Sequence, residues 1–422
     1  MQTPHEMQTP HQMHPPHQPQ NAYDILNERG FIAQCTHEDE LRELMAKEPV
    51  TFYIGYDPTA DSLTAGHFLT LMALAHLQKA GHRPITLMGT GTGMVGDPSD
   101  RTDMRRVMSA EEVANNIACF KKQFSRFIDY TDDKAIMVEN AWLLDLKYVD
   151  FIRNIGVHFS INRMLAAECY KSRLDDGLTF FEFNYMLMQA YDFLELYRRH
   201  GCRVQMGGND QWSNIIAGVE LIRKTENASA YGFTLTLLTA NANQKMGKTM
   251  GNAVWLDPAK TSPYVFYQYW RNTEDSSVIK NLKLLTFLPL DEINEMAKWQ
   301  GAQLNRAKEI LAYEITKAVH GAEEAERAQS SAKALFSEGG DLDAMPTTEI
   351  SLDGKMNVLD LLEAMKLIPS RGEGRRLLAQ GGIKINNEKI DTHEHIITKD
   401  DFKDGYILVQ KGKKIFHRGQ RV

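Results

Sequence analysis

The 422-residue sequence predicts an α/β protein: a parallel-sheet domain over residues 21–256, a helical domain over 257–336, a linker over 337–355 and a small α+β module over 356–422. Three observations carry this. From Thr51 onward, strand and helix patterns alternate in the rhythm of βαβ units, whose crossover helices make the strands parallel. From residue 262 the strand signal gives way to Tyr/Phe/Trp-rich and then Ala/Glu/Lys-rich helical periodicity. Beyond a Gly-, Pro-, Asp- and Thr-bearing stretch, residues 356–422 hold 13 Lys/Arg against 9 Asp/Glu. With a whole-chain charge of −7, that excess of 4 leaves about −11 on the rest, so a basic appendage follows an acidic body and suits a polyanion.

The elements follow in order. Residues 1–20 repeat a Met-Gln-Thr-Pro-His unit with nothing to build a core, so disorder is expected, and no basic region leads into an apolar one as in a secretory signal. Thr51–Tyr56 reads as a strand, His67–Ala80 as a helix ahead of Gly81, and Pro84–Met88 as a second strand. A helix starts at Ser109, where Ser-Ala-Glu-Glu forms a capping box, and a strand follows at Ile136–Val138. A long helix from Phe180 to His200 closes at Gly201. Strand Arg203–Met206, helix Gln211–Lys224 and strand Phe233–Leu238 complete the domain, which ends near Leu256.

Hydrophobic residues at 43% and charged residues at 24% are ordinary globular proportions, and no apolar run reaches the roughly 18 residues of a membrane helix. Cys35, Cys119, Cys169 and Cys202 are scattered without a C-x-x-C pair, so neither a disulfide framework nor a zinc site is expected, and a reducing cytoplasm fits.

The loop Gly91-Thr-Gly-Met-Val-Gly96 has dinucleotide-fingerprint spacing, yet Asp97-Pro98 follows where that motif needs a helix. Gly247-Lys248-Thr249 ends like a phosphate-binding P-loop, but Ala242 stands where the leading glycine belongs; it reads equally as a solvated turn or as a phosphate clamp. Tyr185, Gln189 and Asp192 lie at i, i+4 and i+7, within about 60° on one face of an otherwise apolar helix. Such a stripe is either an internally satisfied network or the wall of a pocket for a small amphipathic ligand. Gly66 and His67 open the helix after the first strand, where backbone N–H groups bind anions.

Together, Y-I-G-Y-D-P-T-A-D-S-L-T-A-G-H (53–67), G-D-P-S (96–99), the Tyr185/Gln189/Asp192 stripe, Q-M-G-G-N-D-Q-W (205–212) and K-M-G-K-T (245–249) resemble bacterial-type tyrosyl-tRNA synthetases, which are class I aminoacyl-tRNA synthetases. The resemblance runs from about Ala22 to the C-terminus. It implies a Rossmann-like catalytic domain and, over 357–387, an RNA-binding module shared with a small-subunit ribosomal protein. It further implies activation of L-tyrosine by ATP to tyrosyl-adenylate, then transfer to the 3′ end of tRNA(Tyr). Mg²⁺ accompanies the ATP, with no tightly held protein-coordinated metal, and the enzyme is a homodimer with no membrane contact. Carried over residue by residue, His67, Thr59, Thr64, Lys245, Lys248 and Thr249 serve the phosphates. Tyr53 and Asp192 take the phenolic hydroxyl; Asp97, Tyr185 and Gln189 take the ammonium group, and Gln211 the carboxylate. Gly55, Asp57, Gly66, Gly208 and Asp210, with His67 and Lys248, hold ATP, and Asp210 is assigned the ribose. Arg101 and Arg105 lie toward the acceptor RNA, and Arg371, Arg375 and Arg376 toward the rest of the tRNA. One departure stands out: Thr64 occupies the first position of the family's H-I-G-H tetrapeptide. Two alternatives stay open, a tryptophanyl-type synthetase and a non-catalytic RNA-binding paralogue with an altered site.

Overall fold

The computed structural model describes residues 21–98, 108–175, 177–241, 244–245, 253–334, 345–352, 354–412 and 415–422. Six strands form the main sheet: β1 (Ile32–Cys35), β2 (Thr51–Tyr56), β3 (Arg83–Met88), β4 (Ile136–Glu139), β5 (Val204–Gly208) and β6 (Tyr231–Leu235). They lie in the order β1-β6-β5-β2-β3-β4. The last five are mutually parallel, and β3 and β6 are buried almost throughout, as strands covered by helices on both faces should be. β1 runs antiparallel on the edge and is not legible in the sequence, because Ile-Ala-Gln-Cys is four residues long with no alternation to betray it.

The helices that matter for the site are α1 (Ala22–Arg29), α2 (Ala65–Lys79), α3 (Ala110–Phe124), α4 (Tyr185–His200) and α5 (Trp212–Glu226). In α3 the expected capping box forms: the Ser109 N–H donates to Glu112 Oε2 (2.9 Å) and the Glu112 N–H to Ser109 Oγ (3.2 Å). The helix expected over Phe180–His200 is divided at Asn184 into a short turn, Phe180–Phe183, and α4. A second capping box between Thr179 and Glu182 starts the turn, and Gly201 in the left-handed region (φ 62°) closes α4.

Five helices follow: α6 (Pro263–Arg271), α7 (Val278–Leu285), α8 (Leu290–Met296), α9 (Ala302–His320) and α10 (Ala322–Ala334). They share one continuous apolar core with the main sheet, running from Ala22 to Met345. α2 is buried on nearly every side because it lies within that shared core, which explains its lack of a polar face. The Arg29 guanidinium, itself buried, ties α1 to the turn after α7 by donating to the carbonyls of Lys283 (2.9 Å), Thr286 (3.0 Å) and Leu288 (2.7 Å).

The C-terminal part has a separate core. Strands β7 (Thr347–Ile350), β8 (Ile383–Ile385), β9 (Glu388–Ile390), β10 (Tyr406–Lys411) and β11 (Ile415–Arg421) form a sheet in the order β9-β8-β10-β11-β7 beside α11 (Val358–Ala364) and α12 (Arg371–Ala379). β7 falls inside the stretch 337–355 read as a linker. Its Thr-Thr-Glu-Ile sequence suits a half-buried strand, and it pairs in parallel with β11. Among the described residues no helix is long and apolar enough to cross a membrane.

Candidate active site

The carboxyl ends of the parallel strands and the start of α2 bring the sequence motifs together. Gly55 is the exposed position in an otherwise mostly buried β2, and a Cβ there would meet open space, so the strand presents bare backbone to a ligand. Past the strand, the Thr59 N–H donates to the Asp57 carbonyl (2.8 Å) and the Thr59 side chain stays exposed. Thr64 caps α2 in a capping box whose usual glutamate is replaced by His67: the Thr64 N–H donates to His67 Nδ1 (3.1 Å), with the Thr64 hydroxyl also 3.1 Å from that nitrogen. The departure at position 64 therefore places a hydroxyl against the second histidine. Gly66 lies in the same first turn, and the Ala65 N–H donates to the Val254 carbonyl (2.8 Å), so the chain just after the K-M-G-K-T loop is pinned to this helix start. Lys245 lies on a two-residue strand, Gln244–Lys245, paired with Thr239–Asn241. Lys248, Thr249, Arg101, Arg105 and the tail lie outside the described residues.

Deeper in, α4 carries its polar stripe into a buried network. Both Asp192 carboxylate oxygens accept hydrogen bonds, Oδ2 from Asn140 Nδ2 and Oδ1 from Trp142 Nε1, each at 2.8 Å. Asp192 is almost fully buried; burial pushes its pKa well above the carboxylate range, the Asn140 and Trp142 donors oppose that, and Asp57 and Glu195 add to it. Asn140 also donates to Thr92 Oγ1 (3.0 Å) and accepts from the Gly91 N–H (2.7 Å). Thr92 in turn donates to Asp57 Oδ1 (2.8 Å), and the Tyr185 hydroxyl donates to Asp57 Oδ2 (2.9 Å). Tyr185 thus faces Asp57, and the two ends of the stripe are joined through Asp57, Thr92 and Asn140. Tyr53 is fully buried against Phe193 (ring centroids 5.3 Å), and its hydroxyl has no hydrogen-bond partner among the described residues. Its pKa is raised by burial first and then by Asp192. A buried hydroxyl without a partner, beside a buried carboxyl group, has hydrogen-bonding capacity for one polar group.

The third part is the single 3-10 turn Asn209–Gln211 at the end of β5. Gln211 Nε2 donates to Asp97 Oδ2 and more weakly to Asp210 (3.3 Å), and Gln211 Oε1 accepts from Asn214 (3.2 Å). Gly208 is glycine because a Cβ would stand 2.5 Å from Asp210 Oδ1. Gln189 is half-buried, and its side chain makes no hydrogen bond among the described residues. The stripe therefore combines both readings: Asp192 and Tyr185 are internally bonded, while Gln189, like Tyr53 on β2, has polar capacity left over.

The loop with dinucleotide spacing has a different use. Thr92–Met94 forms a 3-10 turn, a Cβ on Gly89 would lie 2.3 Å from Asp57 Oδ1, and one on Gly93 would lie 3.0 Å from Pro58. The glycines let this loop press against Asp57-Pro58 and present Thr92. Sequence reading missed Thr92, Asn140 and Trp142. The available signal was position, since Asn140 directly follows β4 at the carboxyl edge, where ligands of such sheets bind. On the C-terminal module, Arg375 and Arg376 are exposed on α12, whereas Arg371 pairs with Asp360 and with Glu363 (3.2 Å) on α11. Among the described residues no group of three or more His, Cys, Asp or Glu could hold a metal.

Comparison with known proteins places the chain among relatives. The family model "tRNA synthetases class I (W and Y)" matches residues 45–337, and "Tyrosine--tRNA ligase SYY-like C-terminal domain" matches residues 338–418. The tyrosine–tRNA ligase of Acetivibrio thermocellus is 58% identical over 402 residues, covering 94% of this chain and 98% of that one. That of Clostridium kluyveri is 58% identical over 400 residues, with the same coverage. Among solved structures, a C-terminally truncated mitochondrial tyrosyl-tRNA synthetase from Aspergillus nidulans superposes with a TM-score of 0.68 at 30% identity, over 75% of this chain and 94% of its own. The tyrosyl-tRNA synthetase of Archaeoglobus fulgidus complexed with L-tyrosine shares the fold, with a TM-score of 0.56 at 20% identity over 73% and 99%.

Proposed function

The chain belongs to the tyrosine–tRNA ligases, within the class I tRNA synthetases of the tryptophan and tyrosine type, and from that premise we propose how its residues divide the reaction. The reaction joins tyrosine to ATP as tyrosyl-adenylate, releases pyrophosphate, and passes tyrosine to the 3′ end of its tRNA. At 58% identity to tyrosine–tRNA ligases over 94% of the chain, the tryptophanyl and non-catalytic alternatives are set aside.

The observation that carries the amino-acid assignment is the Tyr53 hydroxyl, unpartnered and fully buried beside Asp192. The phenol of the substrate donates to Asp192 and accepts from Tyr53. Phenylalanine would leave the Tyr53 hydroxyl unpaired and offer Asp192 no donor, a mode of rejection for which tyrosyl enzymes are themselves the usual illustration. Gln189, Asp97 and the Tyr185–Asp57 pair receive the ammonium group. Gln211 orients the carboxylate for attack on the α-phosphate. ATP lies over Gly55 with its ribose at Asp210 and Gly208. Its phosphates meet the start of α2 at Gly66 and His67, with Thr59 alongside, where backbone N–H groups and the helix dipole favour anions. Thr64 acts through His67, fixing the ring by the capping box. Lys245, Lys248 and Thr249 meet the leaving pyrophosphate, whose growing charge is the main electrostatic demand of the step. Mg²⁺ enters as part of the ATP substrate.

Exposed Arg375 and Arg376 contact tRNA, as do Arg101 and Arg105. The second subunit packs on an apolar surface between residues 144 and 181, where Tyr148 (66% exposed), Val149 (72%) and Phe180 (68%) face outward; patches of this kind mark protein interfaces. Cytoplasmic residence follows from the substrates.

ATP–pyrophosphate exchange without tRNA, run with tyrosine, phenylalanine and tryptophan, tests the pocket. Exchange with tyrosine alone in the wild type, lost in Asp192→Ala, is expected. Full exchange in Asp192→Ala would refute the assignment of the phenol to Asp192.

A further inference from the structure

We propose that Gln34 and Asn209 form a brace that sets the position of the Asp210–Gln211 turn, making both of them positioning residues for ATP. The inference rests on the reading of Asp210 as the ribose contact. Three residues, Asn209–Gln211, carry two functional side chains at the end of β5, and the two glycines before them, Gly207 and Gly208, let the turn fold back on its own strand. A Cβ on Gly207 would lie 2.9 Å from the Gln211 Cβ. A turn this short, entered through two glycines, has little stiffness of its own.

Side chains supply what the backbone lacks. Asn209 Oδ1 accepts from Gln34 Nε2 (2.7 Å) and from the Thr234 hydroxyl (3.0 Å). Thr234 is fully buried in β6, and Gln34 lies on the edge strand β1. Their convergence depends on a β-bulge. Ile32 pairs with Leu235 and Gln34 with Thr234, so two steps along β1 match one along β6 and Ala33 is the extra residue. In unbroken register Ala33 would face Thr234, and Gln34 would stand opposite Phe233. The bulge moves Gln34 into line with Thr234, on the same face of the sheet, so that both amide and hydroxyl reach one asparagine oxygen. An edge strand that contributes only four residues to the sheet thereby acquires a task at the site, since re-aiming a side chain beside an active site is a recurrent use of such bulges.

The test is steady-state pyrophosphate exchange on the full chain with Gln34→Ala, Asn209→Ala, their double variant, Asn209→Asp and Asp210→Ala. Loss of a neutral hydrogen bond should raise the KM for ATP by about three- to ten-fold in Gln34→Ala and in Asn209→Ala, with kcat little changed. The double variant should be no worse than Asn209→Ala, because both remove one interaction. Asn209→Asp, whose carboxylate still accepts from both donors, should restore the wild-type KM, which a merely structural effect on stability would not predict. A wild-type KM for ATP in Gln34→Ala, or additive losses in the double variant, overturns the brace while Asp210→Ala remains impaired. An unimpaired Asp210→Ala overturns the ribose reading itself, and the brace with it.

Discussion

A carboxyl group as deeply buried as Asp192 is pushed toward its neutral form, and Asn140 and Trp142 oppose that push by supplying one hydrogen bond to each oxygen. Removing one is costlier than removing a neutral hydrogen bond, because a buried acceptor is left short of a partner. Asn140→Ala should raise the KM for tyrosine by about ten- to a hundred-fold. Discrimination against phenylalanine should narrow with it, since phenylalanine never used the carboxylate; paired KM measurements in pyrophosphate exchange check both. Asp192, Tyr185 and Gln189 were visible from the sequence because a helix sorts polar residues onto a face. Asn140, Thr92 and Trp142 were not, because each lies in a loop or turn after a strand, where no periodicity separates a pocket residue from a solvated one.

At the scale of elements, α2 joins the two halves of the chain's chemistry. His67 stands at its start in the site, and His76 lies near its end in the shared core, against Phe31 (5.7 Å) and Phe287 (4.7 Å). Burial above all, then Arg29 and Lys79, pushes the His76 pKa down to about 3, so the fold holds this imidazole neutral. Below the ordinary histidine pKa the unfolded chain binds a proton that the fold refuses, so stability falls as pH falls. From pH 7.5 to 5.5 His76 alone should cost about 1.4 kcal/mol. Thermal unfolding across that window should show the slope, and His76→Leu should make it shallower whatever its absolute stability, the remainder coming from groups such as His320, whose pKa burial lowers to about 4; an unchanged slope would place the titration elsewhere. The βαβ alternation was legible because each crossover helix and strand carries its own local pattern. The edge strand β1 was not, because its identity is set by a partner some two hundred residues away, and β7 was hidden in a linker-like composition for the same reason.

Taken whole, the core that the main sheet shares with the helices after it is distinct from the core confined to the C-terminal module, and two further apolar clusters include residues of α4. Function should divide the same way. Replacing exposed Arg375 and Arg376 with glutamine should raise the KM for tRNA and reduce its salt dependence, leaving tyrosine activation unchanged; loss of activation would refute the separation. Arg371 should behave differently, its ion pairs with Asp360 and Glu363 tying α12 to α11. The antiparallel pairing of β1 with β6 also sets a timetable for the growing chain. β1 leaves the ribosome ahead of β6, its one partner strand among the described residues, which follows some two hundred residues later, about 10–40 s at ordinary rates of synthesis. Through that interval β1 is an unpaired strand on a nascent polypeptide, and its four-residue length and bulge make it a poor template for pairing with a neighbouring chain.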